Sequence, residues 1–145
     1  VAASCSNRFS VSVIKELNKG SPHNIIASGY SIFYVSVMAM IGCSGETYQE
    51  LKKGLFINDS IKEEDLLLSL KQSNSLLSES SSTFISANSI WTNGLRDEYQ
   101  EIVKNALDGH SFPLTTAEAI NNYVSSNTND LIKSVIKPPL NRDTL

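Results

Sequence analysis

The sequence predicts an α+β fold in which helices predominate and strands are few. Most of the chain places apolar residues at helical spacing, whereas only three short segments are β-prone. The chain has 145 residues, of which 41% are apolar and 19% are charged. This composition is sufficient for a hydrophobic core, and it predicts one domain, or part of one, over residues 1–145.

Charge and cysteine content exclude several classes of protein. The net charge is −3 and the 12 Lys and Arg residues are spread thinly, which argues against a nucleic-acid partner. No apolar run approaches the roughly 18 residues of a membrane span, so no membrane partner is expected. Two cysteines, Cys5 and Cys43, are too few for a disulfide-rich scaffold or a zinc finger. Two free thiols are favoured over a disulfide.

The first 42 residues contain two predicted helices and one short strand. A helix over residues 7–19 is capped by Asn7 and followed by a Gly-Ser-Pro break. Residues 24–27 are predicted to form a short buried strand. The almost wholly apolar run over residues 31–41 is predicted to be a buried helix capped by Ser31. Its β-branched residues leave a buried strand as the alternative.

Two further helices precede a serine-rich break at residues 78–82. Thr47 fits a capping box with the glutamate three residues later, at the start of a helix over residues 47–55. Ser60 caps a helix over residues 60–77, whose first turn is acidic. The remaining segments are predicted as strand, helix, strand and helix over residues 84–92, 96–107, 110–114 and 116–135, ending before Pro138 and Pro139.

Three short strands among so many helices cannot close a sheet. A strand without a neighbour leaves backbone donors and acceptors unpaired. We therefore expect the chain to be the N-terminal part of a larger fold that supplies the missing strands. A small α+β domain whose three strands pair among themselves is the alternative.

Four motifs, in matching order and at matching separations, resemble those of the serpin family. NIIASGYSI (residues 24–32) resembles N-[IV]-x-x-S-P-x-S-[IL], and GCSGETYQEL (residues 42–51) resembles G-A-x-G-x-T-x-x-[EQ]-[LIM]. Further on, ANSIW (residues 87–91) is similar to A-N-x-[LIV]-[FWY], and INNYVSSNT (residues 120–128) is similar to I-N-x-[WY]-V-x-x-x-T. The resemblance extends from residue 9 to residue 136.

The resemblance implies an α+β serpin fold of which this chain is the N-terminal segment. It implies helices A to F over residues 7–19, 31–41, 47–55, 60–77, 96–107 and 116–135. It implies strands 6B, 2A and 1A over residues 24–27, 84–92 and 110–114. The rest of the three-sheet fold and the reactive loop with its P1 residue lie beyond residue 145, so the target specificity is not encoded here.

The function implied by the resemblance is serine protease inhibition, not catalysis. A target serine, or cysteine, protease cleaves an exposed reactive loop, which then inserts into the large sheet A and traps the acyl-enzyme. The native fold is therefore metastable. The partners implied are the target protease and the remainder of the same serpin chain. The alternatives are a non-inhibitory serpin acting as carrier, chaperone or storage protein, and an unrelated helical interaction module.

Small polar residues receive conformational roles from the same resemblance. Residues at the start of helix B correspond to the family's shutter, where hydrogen bonds are exchanged at modest cost as strands part. Asn121 of helix F is expected to face the sheet and to hydrogen-bond to the backbone there. The shutter and structural residues implied are Asn24, Ser28, Ser31, Thr47, Asn121 and Thr128. Without the family, Ser31 is an ordinary helix cap and Asn121 an ordinary solvated residue.

The chain departs from the family pattern at two positions. Gly29 occupies the position of a proline, which is expected to loosen the corner before helix B, and Asp130 occupies the position of a usual glycine.

Other ligands and sites are not expected. No cofactor or metal site is predicted, and His23 and His110 are expected to be surface or capping residues, because no nucleophile-elbow motif is present. Heparin binding through helix D is not expected, because acidic residues outnumber lysines there. An extracellular location is favoured over a cytoplasmic one, although residues 1–9 contain no secretory signal. Asn58 begins a glycosylation sequon.

Overall fold

The computed structural model describes residues 1–20, 23–80 and 84–138. These residues form six helices and two strands: α1 (Ala2–Leu17), α2 (Gly29–Ile41), α3 (Gly45–Gly54), α4 (Glu63–Ser80), β1 (Ser89–Trp91), α5 (Asp97–Leu107), β2 (His110–Phe112) and α6 (Ala117–Asn127). The chain divides into two compact units, Val1–Ser75 and Leu76–Leu145. Of the described helices, none is long and apolar enough to cross a bilayer.

The first unit is built around α2. This helix is apolar on nearly all sides, so it is stable only when other helices cover it. Both α1 and α3 pack against it, and the Phe9 and Phe33 rings lie 5.9 Å apart. Its buried residues are Gly29, Phe33, Tyr34, Val37, Met38 and Met40. The prediction of a buried helix at this position is confirmed, and the alternative of a buried strand is wrong.

Residues from the flanking elements complete this core. The segment after α3 buries Leu55 and Ile57, and α4 buries Leu66 and Leu70. From α1, Cys5 is 4% exposed, and its thiol donates a hydrogen bond to the Phe56 carbonyl oxygen (3.4 Å). Burial raises the pKa of the Cys5 thiol above its ordinary value. Cys5 and Cys43 are both free thiols, as predicted.

The second unit contains a two-stranded parallel sheet between two helices. Strands β1 and β2 pair in the register Ser89↔His110, Ile90↔Ser111 and Trp91↔Phe112. A parallel pair needs a crossover connection, and α5 provides it. Because side chains alternate along a strand, Ser111 bonds to Gln100 of α5 (3.2 Å) on one face, whereas His110 and Phe112 point to the face covered by α6.

Four helices begin at residues other than those predicted. Helix α1 begins at Ala2 instead of Asn7, because Ala2 and Cys5 extend its buried face. Helix α4 begins at Glu63, since the Ser60 hydroxyl and amide are both bonded to the Asn58 side chain (2.5 and 3.1 Å) instead of capping a helix.

Helices α2 and α3 also begin earlier than predicted. Ser28, not Ser31, caps α2. Helix α3 starts at Gly45 after Ser44, so Thr47 lies within its first turn and the predicted capping box is wrong. The predicted helix over residues 96–107 is confirmed, with Arg96 at its N-cap.

The predicted strands and the last helix are shorter in the structure. Residues 24–27 form no strand, because no strand among the described residues lies beside them. Strands β1 and β2 have three residues each, so residues 84–88, 92, 113 and 114 of the predicted strands lie outside them. Helix α6 ends at Asn127 instead of continuing to residue 135. Helix α4 continues to Ser80 instead of ending at residue 77, so the predicted break is wrong over residues 78–80. The rest of that break, at residues 81–82, and the predicted breaks at residues 21–22 and 139 lie outside the described residues.

Candidate functional site

In the first unit, two predicted site residues meet at the start of α2. The Ser28 hydroxyl accepts a hydrogen bond from the Ser31 amide (3.2 Å) and lies 2.8 Å from the Ser31 hydroxyl. The Ser28 carbonyl accepts the first helical bond from Ile32 (3.2 Å). Ser28 therefore has the geometry of an N-cap, and Ser31 is its partner instead of the cap itself. We call this pair the serine cap.

Gly29, next to the serine cap, is a point of close helix contact. A Cβ atom at this position would overlap the Ser10 hydroxyl oxygen and lie 2.6 Å from the Ser10 Cα atom. Ser10 belongs to α1, where its hydroxyl donates to the Ser6 carbonyl (2.7 Å). The absence of a side chain at residue 29 therefore allows α1 to approach the first turn of α2. The sequence did not indicate this packing role.

The other predicted residues of the first unit do not join the serine cap. Asn24 is exposed in the segment before α2, and Thr47 is exposed in α3. Neither takes part in the hydrogen bonds of the cap. The structure therefore brings together two of the four residues assigned to this region.

In the second unit, Tyr123 anchors α6 to the sheet. Its ring makes edge contacts with Trp91, Phe112 and His110, at centroid distances of 5.7, 5.2 and 5.8 Å. Trp91 and Phe112, which are register partners, stack at 4.5 Å. Edge-to-face and offset-stacked rings are favourable arrangements for aromatic pairs. We call these four residues the aromatic anchor.

The hydroxyl of Tyr123 adds polar contacts to the anchor. It lies 3.1 Å from His110 Nδ1 and donates to the Asn88 carbonyl at 3.4 Å. Burial, followed by the nearby Asp108 carboxylate, raises the pKa of Tyr123 above its ordinary value. The tyrosine is therefore a neutral donor at neutral pH. His110, predicted to be a surface or capping residue, is exposed at the start of β2, and its ring also contacts Tyr123 of α6, which the alternation of residues 110 and 112 could have indicated.

Asn121 holds the segment that follows α6 and, among the described residues, makes no bond to the sheet. Its Oδ1 atom accepts hydrogen bonds from the Val135 and Ile136 amides (2.9 and 3.0 Å), and its Nδ2 donates to the Ile136 carbonyl (2.8 Å). The expected bond to sheet backbone is not made to either described strand. The three bonds turn the chain back along the helix, and we call them the asparagine clasp.

Thr128 and its neighbours end α6. The Thr128 hydroxyl donates to the Val124 carbonyl (2.7 Å) and accepts from the Ile132 amide (3.2 Å). Asn129 and Asp130 then adopt left-handed backbone angles, with φ of 50° and 61°. The Asp130 carboxylate accepts a bond from the Ser125 hydroxyl (2.8 Å). A non-glycine residue in this region is mildly strained, so the usual glycine is replaced at some backbone cost.

These features define a class of fold. A buried apolar helix with a serine cap in the first unit and a helix that contacts a short parallel pair of strands in the second are elements that the serpin resemblance implies. The chain belongs to the serpin family: the family model described as serpin (serine protease inhibitor) matches residues 4–145.

Curated relatives support this membership. Iripin-2 of Ixodes ricinus is 28% identical over 97% of this chain and 38% of its own length. An uncharacterized serpin-like protein of Thermococcus kodakarensis is 33% identical over 94% of this chain and 35% of its own length. Human neuroserpin is 29% identical over 82% of this chain and 32% of its own length. The chain thus spans about a third of the length of these relatives.

Solved structures show the same fold. Serpin48 of Tenebrio molitor, described as a highly specific serpin, superposes with a TM-score of 0.82 at 23% identity, over 94% of this chain and 39% of its own. Ovalbumin from emu superposes with a TM-score of 0.81 at 23% identity, over 95% of this chain and 42% of its own. The chain is therefore the N-terminal segment of a serpin fold.

Proposed function

We propose that this chain is the N-terminal part of a single serpin domain that inhibits a serine-type endopeptidase by inserting its cleaved reactive loop into sheet A. The observation that carries the proposal is the position of α6 on one face of the parallel β1–β2 pair in a member of this family. A strand that enters the sheet has to part strands near a helix anchored to them. The anchor would therefore resist opening until the loop is cut.

The free edge of β1 supports continuation of the sheet. The backbone groups of Asn88 and Thr92, two residues before and after Ile90, form hydrogen bonds to β2. By alternation, the backbone groups of Ser89 and Trp91 point to the opposite edge, where no strand lies among the described residues. We infer that strands from the remainder of the serpin chain pair there.

An exposed apolar face on α2 supports the same inference for the first unit. Ile32 and Val35 are 39% and 45% exposed, although they lie one turn apart on the helix around which this unit is built. Apolar faces of this kind are normally covered in a folded protein. The remainder of the serpin domain is the proposed cover.

The aromatic anchor contributes a free energy against sheet opening that is small enough for loop insertion to overcome. Each aromatic pair contributes about 0.5–1.5 kcal/mol beyond burial, and a neutral hydrogen bond contributes about 1 kcal/mol. With three ring contacts and two polar contacts on Tyr123, the anchor is worth about 3.5–6.5 kcal/mol. This is a substantial fraction of the 5–15 kcal/mol stability typical of a domain.

The serine cap is proposed to act as part of the shutter, with Asn24 beside it in sequence. An N-cap contributes about 1 kcal/mol, so its bonds can be exchanged when strands move. Thr47 and Thr128 are proposed to have structural roles only. Asn121 is proposed to hold the segment after α6 while the sheet opens.

The inhibitory mechanism is tested with the full-length protein. It is incubated with trypsin-, chymotrypsin- and elastase-like serine proteases and with a papain-like cysteine protease. We expect one of them to form a complex of summed mass that survives boiling in SDS, and the same protease with a blocked nucleophile to form none. If no protease forms a complex, and loop cleavage does not raise the thermal stability, inhibition is excluded.

A non-inhibitory serpin acting as carrier, chaperone or storage protein is the second candidate. The observation that favours it is that emu ovalbumin fits this backbone as well as Serpin48 does. The hinge of the reactive loop separates the two candidates. Small residues such as Ala and Thr permit insertion there, whereas bulky or charged residues oppose it.

An extracellular location is also proposed. Asn58 is exposed, and its side chain accepts bonds from Ser60 within a turn, so the sequon is accessible. Secretion from the native source with a glycan removable by an N-glycosidase would support this location. A protein recovered only from the cytosolic fraction would contradict it.

A further inference from the structure

The turn that follows β1 contains a reactive pair of neighbouring residues. Asn93 is directly followed by Gly94, and of the chain's 13 asparagines only this one precedes a glycine. Both residues are exposed. Gly94 has φ of 75°, and no described residue beyond its chain neighbours has an atom within 4 Å of the position that a Cβ would take. The Gly94 backbone therefore has room to rotate, and no side chain shields its amide nitrogen.

The amide nitrogen of Gly94 is available for reaction with the side chain before it. In the part of the chain that the structure describes, this N–H donates no hydrogen bond. When such a nitrogen attacks Cγ of the asparagine, the N–Cγ bond forms and the bond from Cγ to the side-chain nitrogen breaks. That nitrogen leaves as ammonia and takes the proton of the backbone amide. Water then opens the cyclic imide at either carbonyl, which gives aspartate or isoaspartate.

A backbone donor already lies against the carbonyl that would be attacked. The Leu114 amide donates a hydrogen bond to Asn93 Oδ1 at 3.1 Å. Attack on Cγ moves negative charge onto this oxygen, so an N–H directed at it stabilises the tetrahedral intermediate. The bond is made to the oxygen and not to the nitrogen that leaves. The folded chain therefore favours the reaction at this residue through its own backbone.

A second pair of this kind, Asp108–Gly109, has the opposite arrangement. An aspartate before a glycine can form the same imide, with water as the leaving group. Gly109, however, is buried, and its amide donates to the Val103 carbonyl at 2.9 Å. Its nitrogen is thus engaged at the end of α5. The two pairs are similar in sequence, and the structure makes only the first available for reaction.

We propose that Asn93 is a site of spontaneous deamidation in the native protein, and that isoaspartate at this position breaks a link between the two strands of the second unit. The bond to the Leu114 amide is that link, because residue 93 follows β1 and residue 114 follows β2. Aspartate keeps an acceptor oxygen for this amide. Isoaspartate passes the backbone through the side-chain carbon, so its carboxylate leaves the position of Oδ1. The proposal does not depend on protease inhibition.

Deamidation is measured on the full-length protein from a bacterial host during incubation at neutral pH and physiological temperature. Peptide mass spectrometry follows the replacement of NH2 by OH, and methylation by a purified isoaspartyl methyltransferase counts isoaspartate. Asn58 is the internal control, because it is exposed, lies outside the helices and accepts bonds at Oδ1, but precedes Asp59. We expect Asn93 to convert at least about fivefold faster than Asn58, because glycine is the freer successor. Equal rates would overturn the proposal.

Two comparisons separate the structure from the sequence. A synthetic peptide of residues 88–98 contains the same Asn-Gly pair without Leu114. We expect the native protein to convert at least as fast as this peptide, because the Leu114 amide assists the attack. Slower conversion in the native protein would show that the fold protects Asn93 and would refute the proposal. No isoaspartate is expected at Asp108, and its formation there would contradict the role given to the free amide.

Hydrogen exchange of the Leu114 amide in the full-length protein tests the consequence. Loss of one hydrogen bond should accelerate this exchange about fivefold in Asn93→Ala and in the isoaspartyl form purified from aged protein. Asn93→Asp keeps the acceptor and should exchange at nearly the wild-type rate. Unchanged exchange in the isoaspartyl form, or equal acceleration in Asn93→Asp, would contradict the proposed loss of the link.

Discussion

The asparagine clasp can be tested by one substitution: Asn121→Ala is expected to release the segment that follows α6. The side chain makes three hydrogen bonds, to the Val135 amide and to the amide and carbonyl of Ile136. Two backbone donors face one side-chain atom and a backbone acceptor faces the other, so only one orientation of the amide satisfies all three. Alanine at this position satisfies none of them.

The magnitude follows from the number of bonds and their exposure. Three neutral hydrogen bonds at about 1 kcal/mol each give an upper value near 3 kcal/mol. Val135 is 55% exposed and Ile136 is half-buried, so water replaces part of what is lost. We therefore expect the local opening free energy to fall by about 2 kcal/mol, which corresponds to roughly 30-fold faster amide exchange.

Hydrogen exchange of the full-length protein measures this directly, resolved to residues 131–136. Asn121→Asp keeps both acceptor bonds but sets a carboxylate oxygen against the Ile136 carbonyl, so it should retain only part of the protection of the two amides and exchange more slowly than Asn121→Ala. Asn122→Ala is the matched control, because this neighbouring asparagine is exposed. Unchanged exchange in Asn121→Ala, or equal acceleration in Asn122→Ala, would refute the clasp.

Three other substitutions have defined outcomes. Gly29→Ala places a Cβ 2.6 Å from the Ser10 Cα atom and should destabilise the protein by about 2–4 kcal/mol in urea denaturation. Asp130→Gly removes a left-handed non-glycine residue and should raise stability by about 0.5–1 kcal/mol, measured in the same way. Tyr123→Phe should lower stability by about 1 kcal/mol, because the ring contacts remain and only the polar contacts are lost. The raised pKa of Tyr123 means that its contribution is complete below pH 10 and is lost as pH rises through the folded-state pKa, so Tyr123→Phe should flatten this alkaline decline.

Each of these outcomes has a control that can contradict it. If Ser10→Gly does not recover part of the loss caused by Gly29→Ala, the close contact is not the cause. If Asp130→Gly lowers stability, the bond to Ser125 outweighs the backbone strain. If wild type and Tyr123→Phe decline equally above pH 10, the tyrosine is not the group responsible.

The order and type of the helices could be predicted from the sequence, because apolar spacing is a local property. Helix α2 was predictable from its continuous apolar run alone. The predicted N-cap, Ser31, is three residues after the observed one, Ser28. Both are equally good capping residues, and only the geometry shows which hydroxyl accepts the bond. Neither the role of Gly29 nor its neighbour Ser10 was predictable, because their contact joins distant parts of the chain.

The strands and the end of α6 could not be predicted well, for two different reasons. A strand exists only where a neighbour pairs with it, so the β-prone segment at residues 24–27 remains irregular and β1 is limited to the three residues that β2 can pair. Beyond α6, residues 131–135 keep helical spacing in sequence. The Thr128 hydroxyl and the asparagine clasp capture the backbone there and end the helix.

The two departures from the serpin pattern, at Gly29 and Asp130, should respond oppositely when the family residue is restored. At residue 130 the surroundings impose only a left-handed backbone, which glycine adopts more easily, so restoration is favourable. At residue 29 proline would suit the first turn of a helix, but its Cβ would meet the backbone of Ser10. Helix α1 is packed against the glycine, so proline becomes acceptable only if α1 moves away. Asp130→Gly is therefore expected to stabilise the end of α6, because only the backbone dihedral angles constrain that residue. Gly29→Pro is expected to destabilise the start of α2, because the neighbouring helix α1 leaves no room for a side chain.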